Sequence, residues 1–205
     1  MPEKTTEPRK LLKDLCPLVD LVREMLGTAR HAFNRHSKAE LEKLARLHTE
    51  FTVKIDPLFQ RVEEELSKSS SAGNPEWLTV KEILTRLELL AYEISRLSEP
   101  LQQKANRGAI LADEQLFQVN DAFSRLTGLL RTLTDILQTN DPALKAYLQK
   151  EGEHLRQQCL GHQTALETRM MDSPGQPGAW SVYIGILERF RDCLAHLCAL
   201  VHSLK

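Results

Sequence analysis

Between residues 183 and 201 apolar side chains return every three or four positions, at Tyr183, Ile186, Leu187, Phe190, Leu194, Leu197 and Val201. At about 100° per residue they fall within about 40° of one direction on a helix. Glu188, Asp192 and His196 lie on the other side, at about 140–220°, so the pattern predicts a solvent-exposed polar stripe opposite the core face. Similar periodic segments fill the rest of the chain and predict six helices, at 9–35, 38–68, 78–105, 112–138, 142–171 and 180–203.

Local signals support these boundaries. Ser37 followed by Glu40 reads as a capping box for the second helix, and Thr79 followed by Glu82 as one for the third. Asn140, Asp141 and Pro142 supply an N-cap with proline at the first helical position. The stretches SKSSSAGNPEW (67–77), ANRGAILADE (105–114) and DSPGQPGAW (172–180) are rich in turn formers and read as connections. Pro57 and Pro100 fall inside periodic segments, where each removes a backbone donor and crowds the preceding turn, so kinks or short breaks are expected at both.

The two halves of the chain overlay. Trp77 and Trp180 lie 103 positions apart, and the same offset pairs Ile83 with Ile186, Leu84 with Leu187, Arg86 with Arg189 and Leu97 with Leu200. An offset of 104 matches the first helix of each half, pairing Val19 with Phe123, Met25 with Leu129 and Phe33 with Leu137. A nearly constant offset through three helices points to a duplication, with each copy too thin to bury its own apolar surface. The expected fold is all-α: two tandem three-helix units, 1–106 with an N-terminal tail and 107–205, packed as an elongated helical bundle.

Composition narrows the class. Aromatics make up 5% of the 205 residues, and leucine, glutamate, arginine and glutamine dominate over strand formers. A formal net charge of −1 with no long basic run argues against a nucleic-acid binder, whose affinity would come from neutralising phosphates. The charged start MPEKTTEPRKLLKD lacks the apolar run of a signal peptide, and no segment is apolar for about 18 residues. A cytoplasmic chain is expected. Cys16, Cys159, Cys193 and Cys198 have no paired metal or disulfide spacing and read as reduced thiols, mostly buried.

Chemistry-bearing motifs are few. There is no phosphate-binding glycine loop, no dinucleotide fingerprint, no HExxH and no nucleophile elbow. Glu151 and His154 form a single Glu-x-x-His pair, whereas a buried di-iron centre needs two with further inward carboxylates. His31, His36 and His48 sit among polar neighbours and read as surface residues. The stripe of Glu188, Asp192 and His196 offers ligands of the type that Mg²⁺, Mn²⁺ or iron favour, provided another helix supplies more oxygens. On one helix alone it reads as a solvated face, on which such a Glu-x-x-x-Asp pair is common.

Two tandem three-helix units with the segment Leu187, Glu188, Arg189, Phe190, x, Asp192 on the third helix of a unit resemble the PhoU-like phosphate-uptake regulators, including the related cytoplasmic domain of some sodium/phosphate cotransporters. LVREMLGTARHAF (21–33) and FTVKIDPLFQRVEEEL (51–66) are similar to the first two helices of such a unit, and the resemblance covers about residues 15–203. It implies a non-enzymatic regulator that contacts a membrane phosphate transporter or its sensor kinase. Association with the membrane would then run through that partner only, and a homodimer is a further expectation. It also implies a surface metal site, a divalent or iron ion, at the acidic stripe of Glu188, Asp192 and His196. The first unit departs from this pattern: Thr85 and Leu89 stand where the repeat predicts Glu and Asp, although Arg86 is kept and Glu88 is adjacent. Arg191 and Cys193 depart too, where the family prefers a small residue and often has His, so at most one metal site is expected. The competing expectation is a helical scaffold or oligomerisation module with no phosphate link and no metal.

Overall fold

A computed structural model describes residues 7–68, 75–172 and 177–204, and among these residues the chain is helical with no strand. The helices are α1 (Glu7–Asp14), α2 (Cys16–Arg35), α3 (Lys38–Lys68), α4 (Pro75–Arg96), α5 (Ser98–Arg107), α6 (Asp113–Thr139), α7 (Pro142–Asp172) and α8 (Pro177–Ser203). Residues 69–74 and 173–176 of the two polar connections expected at 67–77 and 172–180 lie outside the described residues.

The prolines separate the six expected segments into eight helices, and they do so unequally. The first segment breaks at Leu15, two residues before Pro17, where the Leu15 and Leu18 amides bond three residues back rather than four. This break was not anticipated. The third breaks at Leu97, three residues before Pro100, as expected, and α5 continues from Ser98. Pro57 causes no break. It lies on the exposed face of α3 with Val53 one turn earlier, so water can reach the carbonyl that loses its partner.

Caps account for the other boundaries. The Glu40 amide donates to Ser37 Oγ at 3.4 Å, and the Ala143 amide to Asp141 Oδ1 at 2.7 Å, with Pro142 at the first turn of α7. Asn140 closes α6 at φ 58°, its amide donating to Ile136 O at 2.7 Å. Thr79 is not a cap. The α4 helix starts earlier, at Pro75, and Thr79 Oγ1 donates within it to Pro75 O at 3.0 Å.

The helices form two successive groups, α2–α5 and α6–α8, joined through like-placed members: α2 packs on α6, and α4 on α8. With α2 also on α4 and α6 on α8, these four long helices enclose one core, and α3 and α7 flank it. At its centre Phe33 of α2, Phe123 of α6 and Phe190 of α8 stack in sequence. Neither group could bury its apolar face alone, so the seam between α4 and α8 is fixed by the same core that forms the fold.

Candidate functional site

The expected site residues lie on α8, the most enclosed helix. It packs against α4, α5, α6 and α7, which leaves only Pro177, Ser181, Ala195 and His202 exposed along it. Glu188, Asp192 and His196 are therefore half-buried, not fully exposed as the single-helix wheel implied. The wheel places residues relative to the core of one helix, and it cannot show a neighbour that closes over the polar side.

The α4–α8 seam carries the densest polar network in the described residues near that stripe. Arg189 Nη1 donates to Glu93 Oε2 at 2.5 Å and lies 3.6 Å from Asp192 Oδ2. Burial holds the His196 imidazole below its ordinary pKa, with Glu93 and Asp192 acting against that and Arg86 with it. On the α8–α7 side, Arg191 Nη1 donates to Gln163 Oε1 at 2.9 Å. Beside Glu188 a cleft of about 510 Å³ opens between α5 and α8, lined by Arg96, Glu99, Gln103, Ser181, Glu188 and Arg189. Its charges are largely paired within the chain, Arg96 to Glu99 at 3.2 Å and Arg189 to Glu93.

An ion needs several converging donors, and the seam does not gather them. Among the described residues no group of three or more His, Cys, Asp and Glu side chains is placed to hold one. Asp192 is drawn to Arg189, and His196 lies within the influence of Arg86 and Glu93. From the opposing helix, Thr85 turns its hydroxyl back to Lys81 O at 2.9 Å, and Leu89 carries no oxygen on its side chain. The residues present thus do not fit the implied metal site as they stand.

The other candidates are placed elsewhere. Arg125 Nη2 reaches both Glu151 Oε2 and His154 Nδ1 at 3.5 Å, so this pair binds a guanidinium across the α6–α7 contact. His31 is exposed, as expected. His48 is half-buried beside Tyr92, ring centroids 6.4 Å apart, and His36 accepts from Lys104 Nζ at 2.8 Å. All four cysteines are free. Cys159 and Cys193 are buried, and burial pushes both thiols up, Cys159 to about 11.

Sequence reasoning missed Glu93 and Lys104, the two charged residues that are buried among the described residues. A signal for Glu93 was present: the 103-residue offset that pairs Arg86 with Arg189 also pairs Glu93 with His196. Across a seam between equivalent helices, such positions meet crosswise. Lys104 carried no comparable signal.

These features define a class: an all-helical protein whose two consecutive helix groups join through corresponding helices, with a polar seam along one face. The crystal structure of PhoU from Pseudomonas aeruginosa is similar with a TM-score of 0.84 at 12% sequence identity, covering 96% of this chain and 95% of that one. A PhoU-like protein from Shewanella oneidensis MR-1 is similar with a TM-score of 0.50 at 15% identity, covering 97% and 95%. The fold is PhoU-like over nearly the whole chain. No protein-family model matches the sequence, and no curated protein does. Among the described residues no helix is long and apolar enough to cross a membrane.

Proposed function

We propose that the chain is a non-enzymatic regulator of phosphate uptake or signalling that acts through contacts with a membrane phosphate transporter or its sensor. The observation that carries this reading is the PhoU-like fold over almost the full length of both chains.

In this reading the regulator works without a resident ion. Thr85 and Leu89 supply no acidic pair from the first group, and Asp192 is engaged by Arg189. Elemental analysis after exposure to iron, manganese, zinc and magnesium tests this part. We expect no stoichiometric metal; one ion per chain that disappears in Glu188→Ala/Asp192→Ala would overturn it.

The phosphate link is tested in cells. Deleting the gene should raise phosphate uptake, or the output of a phosphate-responsive promoter, when phosphate is plentiful, and the intact gene should restore control. Unchanged uptake and promoter output would leave a helical scaffold as the better account.

A further inference from the structure

The outward face of α4 is where this chain differs from the acidic pattern that its repeat predicts, and among the described residues it is open at Leu78, Glu82 and Tyr92. α4 turns its core side to α2 and α8 and packs on α3 along its flank, so Leu78, Glu82, Thr85, Leu89, Tyr92 and Arg96 form a mixed stripe turned away from the core. Two are large and exposed, Leu78 at 52% and Tyr92 at 46%, and Leu89 between them is half-buried. Tyr92 is held in place on both sides. The His48 ring lies at 6.4 Å, tilted by 49°, and the Arg96 guanidinium sits 5.8 Å over its face. A fixed aromatic ring that loses little freedom on contact is the usual anchor of a protein interface.

The charges beside this ridge are of one sign once internal pairs are set aside. Arg96 is satisfied by Glu99, Lys81 by Glu63 at 3.2 Å, and Arg86 pairs with Glu82 of the stripe itself at 4.0 Å. Glu88 on the α3 side and Glu188 on the α8 side have no cation within ion-pair distance among the described residues, and Asp192 shares Arg189 with Glu93. Leu89 and Tyr92 set between unpaired carboxylates make a surface that repels a second copy of itself, and repels phosphate-rich surfaces such as nucleic acid or an anionic membrane.

We propose that the α4 face, with Leu89 and Tyr92 at its centre and Glu88, Glu188 and Asp192 on its rims, docks an amphipathic helix of a partner protein that carries an apolar ridge flanked by lysine or arginine. This deepens the proposed function by naming the surface and the partner's chemistry, and rests on that reading only in taking the partner to be a protein. The contact is helix on helix, the partner's apolar residues at i, i+3, i+4 and i+7 against Leu89 and Tyr92 and its basic flanks over the rim carboxylates.

The test uses two synthetic helical peptides of roughly 18 residues with the same leucine ridge, one flanked by lysines and the other by glutamates. Binding to the full chain is followed by fluorescence anisotropy and by amide shifts in labelled protein, with thermal melting to confirm that variants fold. The lysine-flanked peptide should bind, shift amides around residues 85–96, and bind at least about tenfold more weakly to Tyr92→Ala and to Leu89→Ser. Glu88→Gln/Glu188→Gln should reduce both its affinity and its salt dependence. The proposal fails if the lysine-flanked peptide does not bind, if the glutamate-flanked peptide binds equally, or if the shifts lie on another face. It fails equally if the chain self-associates in a way that Tyr92→Ala abolishes. No phosphate enters this measurement, so its failure is separate from failure of the phosphate-linked reading.

Discussion

Arg189 on α8 and Glu93 on α4 form an ion pair at 2.5 Å across the seam between the two helix groups, with side chains only 17% and 11% exposed. The position equivalent to Arg189 is Arg86, and the position equivalent to Glu93 is His196, so the seam sets a salt bridge on one side of its crossing and a cation against an imidazole on the other. Removing one partner of the buried pair strands the other charge. Arg189→Met should destabilise the protein by about 3 kcal/mol, the lower end of the range for such losses because some solvent reaches the site. Arg189→Met/Glu93→Leu should recover most of that loss, since an apolar pair of similar volume is often as stable as the ion pair. Urea denaturation of the two variants checks this; a double variant no more stable than Arg189→Met would show that the pair is not the main term.

A second prediction concerns pH. Lys104 is buried, 4% exposed, and its Nζ donates to Phe33 O at 3.0 Å and to His36 Nε2 at 2.8 Å, closing the C-terminus of α2. Burial first, and the Lys104 charge second, hold His36 below its ordinary value of 6.5; His48 and His196 are lowered mainly by burial. A histidine with a lowered folded pKa takes up its proton more readily when unfolded. Stability from these groups is therefore fully present above about pH 6.5 and is lost as pH falls from there to the folded values. His36→Asn keeps a residue that tolerates the φ of 53° and removes one titrating ring. Urea midpoints at about pH 7.5 and about pH 5.5 should differ less in that variant than in the parent chain. An equal or larger difference would contradict this account.

The sequence and the structure part company at identifiable places. The hydrophobic period located every long helix because each one buries a single continuous stripe, and the caps at Ser37 and Asp141 are local chemistry that needs no tertiary information. Proline effects were less legible: Pro57 and Pro100 look alike in sequence, and what separates them is solvent access to the preceding turn. The helical period sets the acidic stripe opposite Phe190 and predicts exposure, whereas its half-burial comes from neighbouring helices packed along α8, a non-local contact. For the same reason Lys104 gave no warning, because its partners lie about seventy positions away on α2.

Close helix approach yields a third prediction. A Cβ added at Gly152 on α7 would meet Cys198 Sγ of α8 at 2.6 Å, and the next polar contact along the pair is Gln149 Nε2 donating to Cys198 O, also at 2.6 Å. Glycine is needed here for space, not for an unusual backbone angle. Gly152→Ala should cost about 1–3 kcal/mol by overpacking. Adding Cys198→Ala removes the sulfur that clashes and should return part of the loss, a coupling that a double-mutant cycle measures directly. Strict additivity of the two substitutions would mean that the helices separate rather than clash.

The acidic stripe and the core residue between its members should respond in opposite ways. Phe190 is fully buried and meets the Phe123 ring edge-on at 4.8 Å, and Phe123 in turn lies 6.0 Å from Phe33 of the first group. Phe190→Ala therefore opens a cavity where both groups meet, and should cost about 3–5 kcal/mol. Glu188 is half-buried with no ion pair among the described residues, and Asp192 makes a half-exposed contact at 3.6 Å with an Arg189 that already bonds Glu93. Glu188→Ala should change stability by less than about 0.5 kcal/mol and Asp192→Ala by about 0–1 kcal/mol. Thermal and urea unfolding distinguish the two classes. A loss of several kcal/mol in Asp192→Ala would mean that Asp192, and not Glu93 alone, balances the buried guanidinium, making the stripe part of the seam that joins the two helix groups.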